Sequence, residues 1–245
     1  MNVVLTGAGS DLGRELHAAL SVEHQVHCLD SPPPGDLAPA LDAGLWTTDL
    51  LLERLRGMDA VVHLAAHGVA SPRLLPPEQA LLDVGGRITF NLLNACRELG
   101  VNRFLYVSTL ELLAGYDPDW ILHETFEPRP TTDPRLLSFA CGERLVRNAR
   151  QQRLYWATIA RLGLLVKESE VAGQPYNPLW LDRQDAVDGL AAVLRTGEMR
   201  HWWGHGVVHL CAERPDALSA VGALGHWCKF HPQHNFGYVK PEVTA

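Results

Sequence analysis

The chain has 245 residues, enough for one domain or for one domain with a small lobe. It is 47% hydrophobic and 20% charged, a balance that builds a packed core and excludes a disordered chain. The net charge of -7 at pH 7 argues against a nucleic-acid or anionic-membrane partner. The start, "MNVVLTGAG", has no basic leader, and no apolar run reaches membrane-spanning length, so a cytoplasmic location is expected. The five cysteines (Cys28, Cys96, Cys141, Cys211, Cys228) are scattered and form no CxxC pair, which reads as buried thiols.

In chain order, "NVVLT" is an apolar strand ended by "GAGSDLG". A helix follows from Asp11 to Leu20, with Leu12, Leu16 and Leu20 on one face. "QVHCLD" predicts a second strand ending at Asp30, and "LWTTDL" a third ending near Asp49. "LLERLRGM" is a short helix, and "DAVVHLAA", Asp59 to Ala66, an apolar fourth strand. "RITFNLLNACRELG" is a helix stopped by Gly100, and "NRFLYVST" a fifth strand. A helix from about Ser138 to Gln151 precedes the strand "YWATIARLG". Strands that alternate with helices and are apolar on both faces indicate an α/β fold, a doubly wound parallel sheet. The remainder holds a helix from Arg183 to Thr196, a strand "GVVHLCA" and a last helix "DALSAVGALGHWCKF". It reads as a small C-terminal lobe, residues 166–245, packed on a domain of residues 1–165.

"TGAGSDLG", Thr6 to Gly13, follows a strand and opens a helix, the context that a dinucleotide-binding loop requires. Glycines let the backbone turn tightly and approach a pyrophosphate, and the helix N-terminus offers N–H groups and partial positive charge. Asp30 at the end of the second strand can bind both ribose hydroxyls and would repel a 2'-phosphate. With no Arg or Lys in "SPPPG" beyond it, NAD is expected rather than NADP. Asp11 reads mainly as the helix cap, with a carboxylate near the pyrophosphate as the other reading.

With these pieces in place, the chain resembles the extended short-chain dehydrogenases/reductases of the NAD-dependent epimerase/dehydratase group, and the likeness runs over most of its length. "TGAGSDLG" is similar to that group's TGxxGxxG loop, which would place Gly7, Gly9, Ser10, Asp11, Leu12 and Gly13 at the cofactor. "TTDL" resembles its acidic adenine contact, Asp49 with Leu50. "VVHLAA" resembles the strand lining the nicotinamide side, through Leu64, Ala65 and Ala66. "FNLLNACRELGVNRFLYVST", "ETFEPRPTTDP", "ARLGLL" (with Leu162 in place of proline) and "KFHPQHNFG" resemble its helix–strand unit, polar loop, RPG segment and closing tail. The resemblance implies a Rossmann-type fold, NAD binding, a nucleotide-sugar-like substrate, and a dimer through the helices at Ile88 to Leu99 and Ser138 to Gln151.

Four departures bear on activity. Ser10 stands where the group has its middle glycine. Gly85 stands where it usually has asparagine. The Ser/Thr of its active site falls on Thr109 counted from the strand, and on Leu110 counted back from Gly115. Its YxxxK pair, anchored on Gly142-Glu143 in "PRLLSFACGERLV" and on the preceding loop alike, falls on Arg135 and Phe139. A tyrosine transfers the proton in that chemistry and a lysine lowers its pKa. Arginine keeps its proton above pH ~12, and phenylalanine has no polar atom to offer. Standard hydride chemistry is therefore not expected.

Relocated acid–base groups are the alternative, with Thr109, Glu111 and Tyr116 as candidates, Tyr116 first among the loop residues "ELLAGYDPDWILHE". The twelve histidines raise a third reading. His201, His205, His209, Cys211, His226, Cys228 and His231 could be drawn as a metal site, with His234 left outside it, but Gly204 and Gly206 break helical spacing there, and structural or surface histidines are expected.

Overall fold

The computed structural model describes residues 1–29, 47–68, 78–117, 119–152, 156–196, 206–213 and 222–237. Among the described residues, six parallel strands form the main sheet in the order β2-β1-β3-β4-β5-β8. They are β1 (Asn2–Thr6), β2 (Gln25–Cys28), β3 (Ala60–His63), β4 (Arg103–Thr109), β5 (Trp156–Leu162) and β8 (Val207–Leu210). A second pair, β6 (Leu164–Val166) with β7 (Trp180–Asp182), is also parallel and stands beyond the C-terminal end of β5.

Helices cover both faces. On one side α1 (Asp11–Leu20) and α6 (Arg183–Thr196), with α7 (Gly222–Cys228), pack on Val3, Leu5, Val62, Leu105, Val107, Ala160 and Val208. On the other, α2 (Thr48–Leu55), α3 (Glu78–Asp83), α4 (Thr89–Leu99) and α5 (Pro134–Gln151) pack on Val4, Val61, Phe104, Tyr106, Ile159 and Val207. This is the doubly wound α/β sheet expected from strands apolar on both faces. Strand β8 and helix α6, both from beyond residue 165, join this same sheet and core. Among the described residues, no helix is long and apolar enough to cross a membrane.

Three boundaries differ from the expectation. Thr48–Leu50 is not strand but the first turn of α2, because the Thr47 side chain accepts from Leu50 N and caps the helix. Strand β3 stops at His63, and Ala65–Gly68 turn into a short 3-10 helix with Ala65 at φ 49. Helix α5 begins at Pro134 rather than near Ser138. Asp133 caps it by accepting from the N–H groups of Arg135 (2.8 Å) and Leu136 (3.0 Å), and proline sits in the first turn, where it loses no hydrogen bond. Arg135 is thus held on the rigid start of a long helix.

Gly85 has a packing reason. It lies in a π-helical turn, Val84–Ile88, leading into α4, and a Cβ there would stand 2.0 Å from the Ser138 carbonyl oxygen on α5. Gly142 is similar. Its Cβ would overlap the Tyr106 hydroxyl at 2.0 Å, so the glycine lets β4 and α5 approach.

Candidate functional site

The glycine loop turns at Gly7 (φ 79), a backbone conformation suited to glycine. A Cβ on Gly13 would lie 2.0 Å from the Gly7 carbonyl oxygen, whereas one on Gly9 would meet nothing within 4 Å. The tight side of the loop is therefore Gly13 and the open side Gly9. Ser10, not Asp11, caps α1. Its hydroxyl accepts from Gly13 N (3.0 Å) and donates to the Gly7 carbonyl (2.8 Å), which turns the side chain into the loop. Asp11 is instead the first helical residue, exposed and paired with Arg14 and, at 3.7 Å, with Arg183. Leu12 is buried in the core beneath the loop.

Asp49 lies exposed in the first turn of α2, with Leu50 half-buried beside it. Leu64, Ala65 and Ala66 are buried at the end of β3. Asp30 lies outside the described residues, as do His201 and His205.

On the α5 side of the sheet, the strand ends carry polar groups in register. Thr6 stands beside His63, and Ser108 beside Arg161 beside His209. Thr89 donates its hydroxyl hydrogen to the Val84 carbonyl (2.7 Å), so it accepts from His63 Nε2 (3.1 Å), and His63 Nδ1 accepts from Thr6 (2.7 Å). Burial holds His63 neutral, its pKa lowered to about 3. Arg161 is fully buried. It donates to both oxygens of Glu143 (2.8 and 2.7 Å) and to the Phe126 carbonyl (2.9 Å), while Ser108 donates to Glu143 at 2.7 Å. Burial, and then the Arg161 charge, hold His209 well below the usual histidine range. The "GE" of "GERLV" is thus structural here: glycine for close approach, glutamate for a buried arginine.

At the C-terminal end of β4 lies a more open cluster. Glu111 sits on a short 3-10 turn, Leu110–Leu113, and its backbone N–H donates to Thr109 Oγ1 (3.2 Å). Its Oε2 accepts from Thr109 Oγ1 (3.2 Å) and from Arg135 Nη2 (2.6 Å). Leu110, the other residue to which counting assigned the active-site hydroxyl, is buried among Leu113, Leu122 and Cys211. Arg135 also lies over the Phe139 ring, 5.9 Å from its centroid. Phe139 is fully buried, with the His67 ring tilted against it at 4.7 Å between centroids. His67 Nε2 donates to the Ser108 carbonyl at 2.9 Å, which fixes its tautomer and leaves Nδ1 as the acceptor. Burial first, with the Arg135 charge adding to it, lowers the His67 pKa to about 4. Sequence reasoning missed His67, although it follows directly after the nicotinamide-side segment "HLAA".

Tyr116 is held elsewhere. Its hydroxyl donates to the Glu127 carbonyl (3.1 Å), Arg129 covers its ring at 3.7 Å, and Phe126 packs edge-on. It makes no hydrogen bond to Thr109 or Glu111. Cys211 and Cys228 are buried, His226 packs on Trp227, His231 pairs with Glu213 (2.8 Å), and His234 pairs with Asp185 (3.1 Å). Among the described residues, no three His, Cys, Asp or Glu side chains converge in a way that could hold a metal ion. A polar cavity of about 400 Å³ opens between α1, β7 and the tail, lined by Glu15, Lys167, Asp182, Arg183, Gln184 and His234. It shares no residue with the Thr109–Glu111–Arg135 cluster.

Comparison with solved structures returns proteins of the same fold. A uronate dehydrogenase variant from Agrobacterium tumefaciens, complexed with NAD, matches at TM-score 0.73 and 20% identity, over 96% of this chain and 85% of that one. UDP-N-acetylglucosamine 4-epimerase from Bacillus cereus matches at 0.72 and 16%, over 96% and 95%. UDP-glucuronic acid 4-epimerase from Bacillus cereus, in complex with NAD, matches at 0.69 and 16%, over 96% and 93%. The comparison with curated proteins gave no match. Residues 3–178 match the model of one family, so the chain belongs to the NAD dependent epimerase/dehydratase family.

Proposed function

We propose that this protein binds a nicotinamide dinucleotide at its glycine loop and does not use it for hydride transfer by a tyrosine–lysine pair, acting instead as a binding or regulatory protein. The observation that carries the reading is the state of Arg135 and Phe139, which stand at the acid and base positions of the family resemblance. One is ion-paired with Glu111 at 2.6 Å, and the other is sealed in the core under His67. Neither delivers or accepts a proton at neutral pH.

The loop fits a dinucleotide in shape. Gly7 makes the turn, Gly9 leaves open space, and the Ser10 hydroxyl is folded inward, so the residue at the middle-glycine position does not obstruct. Two of the similar structures are complexes with NAD. When bound, that group would supply a hydride donor or acceptor, and Gly7, Gly9 and the Leu12 backbone would hold its pyrophosphate, with Gly13 closing the loop beneath it. Preference for NAD over NADP rests on Asp30. A nucleotide-sugar-like ligand is the expected small-molecule partner. Exposed Phe90 on α4 and Leu137 on α5 support a homodimer through those helices.

The test is a thermal-shift titration of cofactor-stripped protein with NAD, NADH, NADP and NADPH. A ligand at 100 times its Kd stabilises by about 2.7 kcal/mol. A shift with NAD or NADH alone, together with no absorbance change at the nicotinamide band in the presence of uronates or UDP-sugars, is the expected result. No shift with any of the four sinks the reading.

The contact of Thr109 with Glu111 favours one second reading, an oxidoreductase, epimerase or dehydratase with relocated acid–base groups. It requires turnover that Glu111→Gln or Tyr116→Phe abolishes.

A further inference from the structure

We propose that Arg135 and Thr109 form a carboxylate-binding subsite, filled by Glu111 when no ligand is present, that takes the acid group of a small polyhydroxylated acid. The inference deepens the reading above, on which it rests for treating Arg135 as a fixed cation rather than a proton donor.

The geometry carries it. A single carboxylate oxygen, Glu111 Oε2, receives both Arg135 Nη2 (2.6 Å) and Thr109 Oγ1 (3.2 Å). These donors converge on one point, and the point accepts a carboxylate oxygen. Arginine offers five N–H donors in a planar fork suited to a carboxylate. Among the described residues, the bond to Glu111 is the guanidinium's one hydrogen bond, so most of the fork is unspent. The group is also reachable, with side-chain exposures of 38% for Arg135 and 25% for Glu111.

The surroundings select charge. Phe139 forms an apolar floor beneath the guanidinium, and His67 beyond it is neutral at physiological pH. Glu111 is therefore the carboxylate paired with Arg135, and a ligand acid exchanges for it, one anion for another. The displaced Glu111 then faces the ligand as a hydrogen-bond acceptor, matched by a hydroxyl near the acid group. A neutral sugar of the same size has nothing to exchange for Glu111.

The experiment compares D-glucuronate with D-glucose by isothermal titration calorimetry, on wild type, Arg135→Gln, Arg135→Lys and Glu111→Gln. Wild type should bind glucuronate at least about tenfold more tightly than glucose, the scale of one charge-assisted hydrogen bond. Arg135→Gln should erase the difference, and Arg135→Lys should keep part of it because the charge remains. Glu111→Gln removes the internal competitor and should raise glucuronate affinity several-fold. Equal affinity of wild type for the two sugars overturns the proposal, and so does a Glu111→Gln variant that binds glucuronate more weakly. All three variants alter partly exposed side chains, and circular dichroism verifies their folding. The dinucleotide titration runs on the same samples. A dinucleotide shift without a carboxylate preference overturns this proposal alone, and a carboxylate preference without a dinucleotide shift overturns the cofactor reading alone.

Discussion

Two ion pairs of helix α5, Glu143 with Arg161 and Arg135 with Glu111, differ in almost everything but chemistry. Glu143 meets Arg161 with both side chains excluded from solvent, two hydrogen bonds between them, and Ser108 and the Phe126 carbonyl taking further valences. Arg135 meets Glu111 through one hydrogen bond, with both partners partly exposed. The first pair has most of its donors engaged and fastens β4, β5 and α5 together. The second has spare donors and an open side. Saturation and burial, not the presence of an Arg–Glu contact, separate a structural pair from one that can exchange its partner.

The largest expected effect breaks the buried pair. Arg161→Met leaves the Glu143 carboxylate in the core with only Ser108 and the 3.7 Å contact to Arg147. Removing one partner of a buried pair typically destabilises by about 3–5 kcal/mol. Urea unfolding of the variant should show a loss of that order, and a loss under about 1 kcal/mol would dissolve the distinction between the two pairs.

Next in size is a pH effect, because each arginine presses on its own histidine. Arg161 adds to the burial that holds His209 far below its usual range, and Arg135 adds to the burial that lowers His67 to about 4, with His63 at about 3 from burial. In the unfolded chain these groups titrate near 6.5. Between pH 6.5 and about 4 the unfolded state binds protons that the folded state refuses, so stability falls as pH falls through that window. From pH 7 to pH 5 the loss is on the order of 2 kcal/mol for each histidine so depressed, read from unfolding free energies at the two pH values. In NMR titrations, Arg135→Gln should raise the His67 pKa and leave His209 alone. A shift at both histidines would mean that the two regions are electrically one.

A third effect concerns packing along α5. Gly142→Ala drives a methyl into the Tyr106 hydroxyl, an overlap that typically destabilises by about 1–3 kcal/mol. Gly86→Ala, with Cys141 Sγ at 3.9 Å as its nearest new neighbour, should be neutral or slightly stabilising in the same thermal melts.

The buried region is the more legible in the sequence. Apolar runs mark the sheet and its helices, because burial imposes periodicity on a chain, and the family resemblance of "GERLV" marks α5. The reason for the GE pair is not legible, since Gly142 answers to Tyr106 and Glu143 to Arg161, both distant in sequence. Local competition also misleads. Strand-favouring Trp46, Thr47 and Thr48 suggest a strand where the Thr47 cap starts a helix, and of the adjacent Ser10 and Asp11 it is the contact to Gly13 N that chooses Ser10. The open cluster is partly legible. Glu111 and Thr109 are candidates by position, while Arg135 reads in the sequence only as a loss. That the two halves meet depends on a contact across 24 residues that no local pattern encodes.

The smallest expected stability effect is therefore the most informative about function. Ion pairs open to solvent contribute about 0–1 kcal/mol, and this pair is partly open, so Glu111→Gln should change the unfolding free energy by less than about 1 kcal/mol, a fraction of the Arg161→Met loss. The amide introduced by this substitution keeps a carbonyl oxygen for Arg135 and Thr109 while losing the charge that holds the fork, so the site should persist in shape and gain net positive charge. Urea unfolding beside a calorimetric carboxylate titration reads both properties from one sample. A large stability loss in Glu111→Gln would show that the outer pair is a fastening like the inner one, and Glu111 would then be too firmly held for a ligand to displace.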